Sequence, residues 1–145
     1  MITRTFTRSL RSDPRELEHI LPDLASFLEQ HEVEVSVTYV VELCVEELLL
    51  NAMAHGYHGA TNRPIDMRLE LHDNRNATLD VEDEGEPFDP RTAPEPDFND
   101  MLLGDRVGGL GVHLVRKLAT AVEYQRLENR NHVRVRILPL PLSQG

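Results

Sequence analysis

Only one cysteine and one lysine, Cys44 and Lys117, occur in the 145 residues. A lone cysteine cannot close an internal disulfide, and its place inside an apolar stretch reads as a small buried hydrophobe, so a reducing compartment is inferred. Positive charge is scarce: 15 Lys and Arg stand against 25 Asp and Glu, a net charge of -10, so the basic footprint needed by DNA, RNA or anionic membrane is missing. No apolar run approaches the roughly 18 residues of a membrane span, and no charged-then-apolar leader opens the chain. A soluble cytoplasmic protein is expected, with neither nucleic acid nor membrane as partner. No GxxxxGK[ST] string occurs, which removes the P-loop as a means of holding phosphate. The length fits one domain, residues 1–145.

What is present centres on Val40 to Tyr57, VVELCVEELLLNAMAHGY. From Val40 to Ala54 only Glu42, Glu46, Glu47 and Asn51 interrupt the apolar residues, the pattern of a buried helix. Glu47, Asn51 and His55 stand at i, i+4 and i+8 and so project from one side. Burying such groups unpaired costs about 1 to 3 kcal/mol each, more for a carboxylate. Either they pair with one another or lie on a solvated edge, or the register of three marks a site, with Gly56 ending the helix. His55, His58 and distant Cys44 match no closed zinc spacing.

Around this helix the chain divides into short patterned segments. Met1 to Arg8 reads as an edge strand. Ser12 or Asp13 caps a helix that begins at Pro14 and Glu16 and runs to about Gln30, with Leu17, Ile20, Leu21, Leu24, Phe27 and Leu28 on its apolar side and Pro22 as a potential kink. Residues 65–71 and 77–83 alternate with period two around a polar turn, His72 to Asn76, and predict an antiparallel hairpin. A second hairpin is predicted from Val122–Leu127 and Val133–Ile137 around residues 128–131. The outward side of each well-patterned strand is charged, so helices can cover only one face. The expected fold class is α/β: a two-layer sandwich with a mixed, mostly antiparallel sheet and helices on one face.

Residues 84–107 break this rhythm, carrying four of the nine prolines and seven acidic residues against Arg91 and Arg106. A loop of that length in a compact domain is functional or disordered. Gly108-Gly109-Leu110-Gly111 then opens a third helix with Leu110, Leu114, Val115 and Leu118 on its apolar side. Strand parity turns Asp83 inward just before Gly85, where a buried carboxylate wants a donor, unless the strand has bent and Asp83 merely caps the turn. The glycines before the third helix let backbone N–H groups and the positive end of the helix dipole approach an anion, or serve as a hinge or a close packing point.

In this order the three pieces resemble the ATP-binding domain of the gyrase, heat-shock chaperone, histidine kinase and mismatch-repair superfamily: an N box from Glu47 to His55, a first glycine box at Asp83-Glu84-Gly85 and a second at Gly109-Leu110-Gly111-Val112. The string Asp83-Glu84-Gly85-Glu86-Pro87-Phe88-Asp89-Pro90, the ending His55-Gly56-Tyr57 and the length are similar to the anti-sigma-factor serine kinases of bacterial partner-switching systems. The resemblance implies the histidine-kinase-like ATPase fold, with ATP and Mg²⁺ as cofactors and a lid at about 84–107. It implies Asn51 as the Mg²⁺ ligand, Glu47 as the base for a serine hydroxyl and Asp83 as acceptor of the adenine amino group, with Gly85 letting the base lie close. Gly108, Gly109, Leu110, Gly111 and Val112 would cradle the phosphates, with Arg106 near them, and His55 would pack or support Asn51. The implied partners are a small anti-sigma antagonist as substrate and a sigma factor held in sequestration, and a homodimer is compatible with the group. Two departures stand out: the last glycine of DxGxG is Pro87, and the lid carries no lysine to meet a γ-phosphate. Two other readings share the pocket: a nucleotide-gated binding module without transfer, and a detached histidine kinase ATPase domain.

Overall fold

The computed structural model describes residues 2–92 and 109–141. Strand β1 (Arg4–Arg11) leads through a 3-10 turn at Pro14–Glu16 into helix α1 (Leu17–Gln30). Asp13 accepts the Arg15 backbone N–H at the entry, with Pro14 where its missing donor is harmless. Pro22 lies inside α1, which continues through it. Helix α2 (Val35–Asn51), capped by the Glu34 carboxylate, continues into a single wide turn of π type, Ala52–Gly56. Strands β2 (Pro64–Asp73) and β3 (Asn76–Asp83) follow, then a 3-10 turn at Pro90–Thr92, helix α3 (Gly109–Leu118) and strands β4 (Ala121–Leu127) and β5 (Arg130–Ile137). The sheet order is β1-β2-β3-β5-β4, and every described pairing is antiparallel. As expected, β1 is an edge strand.

Both hairpins form where the alternation places them, with tighter turns than expected. Asp73 and Asn76 pair across a two-residue connection, and so do Leu127 and Arg130. In the second turn Glu128 and Asn129 take φ of +53° and +63°, the left-handed pair whose twist matches that of the flanking strands. The four-residue loop expected at 128–131 is therefore corrected to two residues. Arg130 and Asn131 join β5, which brings Asn131 opposite Asp83.

One sheet face carries the core. Phe6, Leu10, Ile65, Met67, Leu69, Leu79, Val81, Val133, Val135 and Ile137 are buried there with Leu24 and Leu28 of α1 and Val37, Val41, Cys44, Val45, Leu48 and Leu49 of α2. Helix α2 contacts β3, β5, α1 and α3, so it is the element through which the layers meet. Apolar burial of this kind contributes about 25 cal/mol per Å² removed from water. Burial raises the Cys44 thiol to about 12, which makes it the inert hydrophobe expected from its setting. The opposite face is a lattice of charge. Asp80 accepts from His132 Nε2 (2.6 Å) and Arg134 Nε (2.7 Å), while Arg130 reaches Asp66, Glu82 and Glu84. Each exposed pair is worth at most about 1 kcal/mol, but a one-residue slip of any strand would drive these charges into the core, so together they fix register. Among the described residues no helix is long and apolar enough to cross a membrane.

Candidate functional site

Two buried asparagines define the site by contrast. Asn131, 2% exposed, makes every hydrogen bond an amide can make. Its Nδ2 donates to Asp83 Oδ1 (2.9 Å) and to the Glu86 carbonyl (2.8 Å), and its Oδ1 accepts from the Tyr124 hydroxyl (2.6 Å) and the Phe88 N–H (3.4 Å). Asn51, 3% exposed, makes none: neither Oδ1 nor Nδ2 has a partner among the described residues. A buried amide without partners costs about 1 to 3 kcal/mol, and native structures keep few of them. Asn51 opens into a recess also lined by Leu48, Gly56, Asp83, Phe88 and Pro90. The structure thus brings Asn51 and Asp83, 32 positions apart in sequence, to one place.

Asp83 lies at the end of β3, facing inward as parity requires, and is 6% exposed. Burial holds its carboxyl above the ordinary carboxylate range, and the hydrogen bonds from Asn131 and the Gly85 N–H (2.8 Å), with Arg126 and Arg130 nearby, reduce that rise without cancelling it. The turn after it is held from several sides. The Tyr57 hydroxyl accepts the Glu84 N–H (2.7 Å) and donates to the Pro64 carbonyl (2.6 Å). Glu86 N–H donates to the Gly56 carbonyl (2.7 Å), and Arg126 donates to the Gly85 carbonyl (2.6 Å). A Cβ on Gly85 would overlap the backbone of Gly56, so only glycine lets the wide turn and the strand end meet.

Glu47 lies one turn before Asn51, partly buried. It faces Gly111 so closely that a Cβ there would overlap its carboxyl group. The first turn of α3, whose N–H groups lack intrahelical partners as in any helix, therefore abuts the expected base. Gly109 and Leu110 are the first two residues of α3 and Val112 is buried, whereas Arg106 and Gly108 lie outside the described residues.

Of Glu47, Asn51 and His55, expected on one face, the third lies in the wide turn rather than in α2 itself. The turn at Ala52–Gly56 is closed by Tyr57 N–H bonding to the Ala52 carbonyl, five residues back, so the helix widens and its phase lags beyond Asn51. His55 instead stacks on Phe88, centroids 4.6 Å apart and planes 15° from parallel. Of its two expected roles it takes packing, and it gives Asn51 no hydrogen bond.

Sequence reasoning missed Asn131, Tyr124 and Arg126, and it used Tyr57 only as part of the ending His55-Gly56-Tyr57, with no contact assigned to it. Parity was the available signal for Asn131: counted back from Val133 it falls on the inward face, where a polar residue needs a reason. The two tyrosines and the arginine give no such sign, because their contacts depend on which loop passes over them.

Residues 10–137 match the histidine kinase-like ATPase domain family. The chain is also 30% identical over 96 residues to the serine/threonine-protein kinase BtrW of Bordetella bronchiseptica, a stretch that is 66% of this chain and 66% of that one. The match therefore spans just under two thirds of that relative's length.

Proposed function

The chain belongs to the histidine kinase-like ATPase domain family, and on that footing we propose that it is an ATP- and Mg²⁺-dependent protein serine kinase that phosphorylates a small antagonist protein and sequesters a sigma factor. The observation that carries this reading is the unpartnered amide of Asn51 in the same recess as the Asp83 carboxylate. A hard amide oxygen fits Mg²⁺, which takes one or two protein oxygens and fills its other positions with water and phosphate. When bound, the ion would offset the negative charge of the phosphates. Asp83 would accept the adenine amino group, and the N–H groups at the start of α3 would hold the phosphates. Glu47 takes the proton of the partner's serine hydroxyl; the oxygen bonds to the γ-phosphorus, and the bond to the bridging oxygen breaks, leaving ADP with the electron pair. Of the lid expected at about 84–107, residues 93–107 lie outside the described residues, and the relative named a serine/threonine-protein kinase supports transfer to a hydroxyl.

The test is transfer of labelled γ-phosphate to a serine of candidate antagonist proteins, run beside a nucleotide-binding titration. Binding without transfer to any candidate would favour a nucleotide-gated binding module, and binding of neither ATP nor Mg-ATP would overturn the reading altogether. Base selectivity gives a second check. Guanine presents a carbonyl oxygen where adenine presents an amino group, so it would set two acceptors face to face in the recess. ATP should bind about 10- to 100-fold more tightly than GTP, the scale of a buried acceptor left unpaired. Equal dissociation constants would remove Asp83 from its assigned role.

A further inference from the structure

Both hydrogen bonds that Asp83 accepts among the described residues go to Oδ1, from Asn131 Nδ2 and the Gly85 N–H. Oδ2 is left as the oxygen available to the recess that Asp83 lines. The Asn131 amide cannot be turned over without loss. Its Nδ2 meets a carboxylate and a carbonyl, which only accept, and its Oδ1 meets the Phe88 N–H, which only donates. The Tyr124 hydroxyl, 2.6 Å from Oδ1, fixes the amide from the β4 side. We propose that Asn131, oriented by Tyr124, is the positioning residue that keeps Asp83 a pure hydrogen-bond acceptor with Oδ2 toward the recess, and thereby sets the base selectivity of the site. This rests on the assignment of Asp83 to adenine made above and adds the group that makes the assignment selective.

The chemistry follows from what Asp83 would become without that donor. Burial already raises this carboxyl, and Asn131 is the largest influence opposing it. The other charged and titratable groups around it are Arg126 and Arg130, which favour the ionised form, and the phenols of Tyr57 and Tyr124, both raised by burial and therefore neutral. Removing the amide lets the carboxyl hold a proton at higher pH. A protonated Asp83 carries an O–H that can donate to a carbonyl at the base's sixth position, so the group that excluded hypoxanthine or guanine would welcome it.

The experiment measures dissociation constants of ATP and inosine triphosphate by calorimetry between pH 5.5 and 8, for the parent, Asn131→Ala and Tyr124→Phe. Inosine triphosphate differs from ATP in the amino group under test, which a carbonyl replaces. The parent should prefer ATP most strongly toward the neutral end of that range, where Asp83 is most fully ionised. In Asn131→Ala the preference should shrink by about tenfold or more, the scale of a buried acceptor that loses its donor, with its fall displaced to higher pH. Tyr124→Phe, which loses one hydroxyl and keeps the ring, should move the same way by less and stands in if the alanine variant fails to fold. A residue that only packs would weaken both nucleotides equally. A parental preference that persists unchanged in ratio and pH profile in both variants would overturn the role of Asn131 alone, whereas a parent with no preference would overturn it together with the adenine assignment.

Discussion

Glu47→Gln is expected to bind ATP within a few-fold of the parent and to transfer phosphate at least about 10²-fold more slowly, the usual scale of general-base catalysis. The substitution keeps the length and branching of the side chain. That matters here because Gly111 leaves room for a carboxyl group at Glu47 and little else. A general base acts mainly as the proton moves, so its loss should appear in kcat with ground-state affinity almost unaltered. The measurement is labelled γ-phosphate transfer to the partner's serine beside a nucleotide titration. Full transfer by the variant would show that another group takes the proton. A collapse of ATP affinity would instead place Glu47 among the groups that organise the pocket.

Asn51→Leu is expected to separate stability from binding in opposite directions. The parent buries an amide with no partner, at a cost of about 1 to 3 kcal/mol, and leucine of similar size removes that cost while adding apolar contact. The nucleotide-free variant should unfold about 3 to 10 °C higher, given the usual conversion for a domain of this size. Mg-ATP binding should fall by about 10²-fold or more, since the proposed ligand of the ion is gone. A variant that is less stable than the parent, or that binds Mg-ATP as tightly, would show the amide to be part of the packing rather than half of a ligand site. A site residue that is strained without its ligand is what selection for function leaves behind.

Much of this architecture was legible because its signals are periodic. Ile65, Met67, Leu69 and Leu71 alternate with charge over a full strand, and no competing period fits them. Asp13 and Pro14 mark the 3-10 turn that leads into α1, and Gly109 and Gly111 mark the start of α3, through requirements local to a few residues. The wide turn at Ala52–Gly56 left no such trace. It costs one residue of phase inside an apolar run, and Ala52, Met53 and Ala54 suit either geometry, so nothing local shows that His55 sits in a wide turn rather than a regular one. Asn131 was lost for a different reason. Glu128-Asn129-Arg130-Asn131 is uniformly polar, and nothing local states that the turn closes in two residues rather than four. The partner relations of Tyr57 and Arg126 come from contacts 27 and 41 residues apart, which only the assembled fold reveals.

Cys44 gives the molecule a clock. It is the chain's only thiol, fully buried in α2 and held protonated by burial, so an alkylating reagent can modify it only in chains that have opened. Because α2 also carries Glu47 and Asn51, the opening that uncovers the sulfur undoes the site, and whatever fills that site should slow the labelling. At saturating reagent the rate would report opening itself, and at low reagent the equilibrium between closed and open chains. Occupancy of the recess could then be followed by mass alone, in the unaltered protein and without knowing its partner.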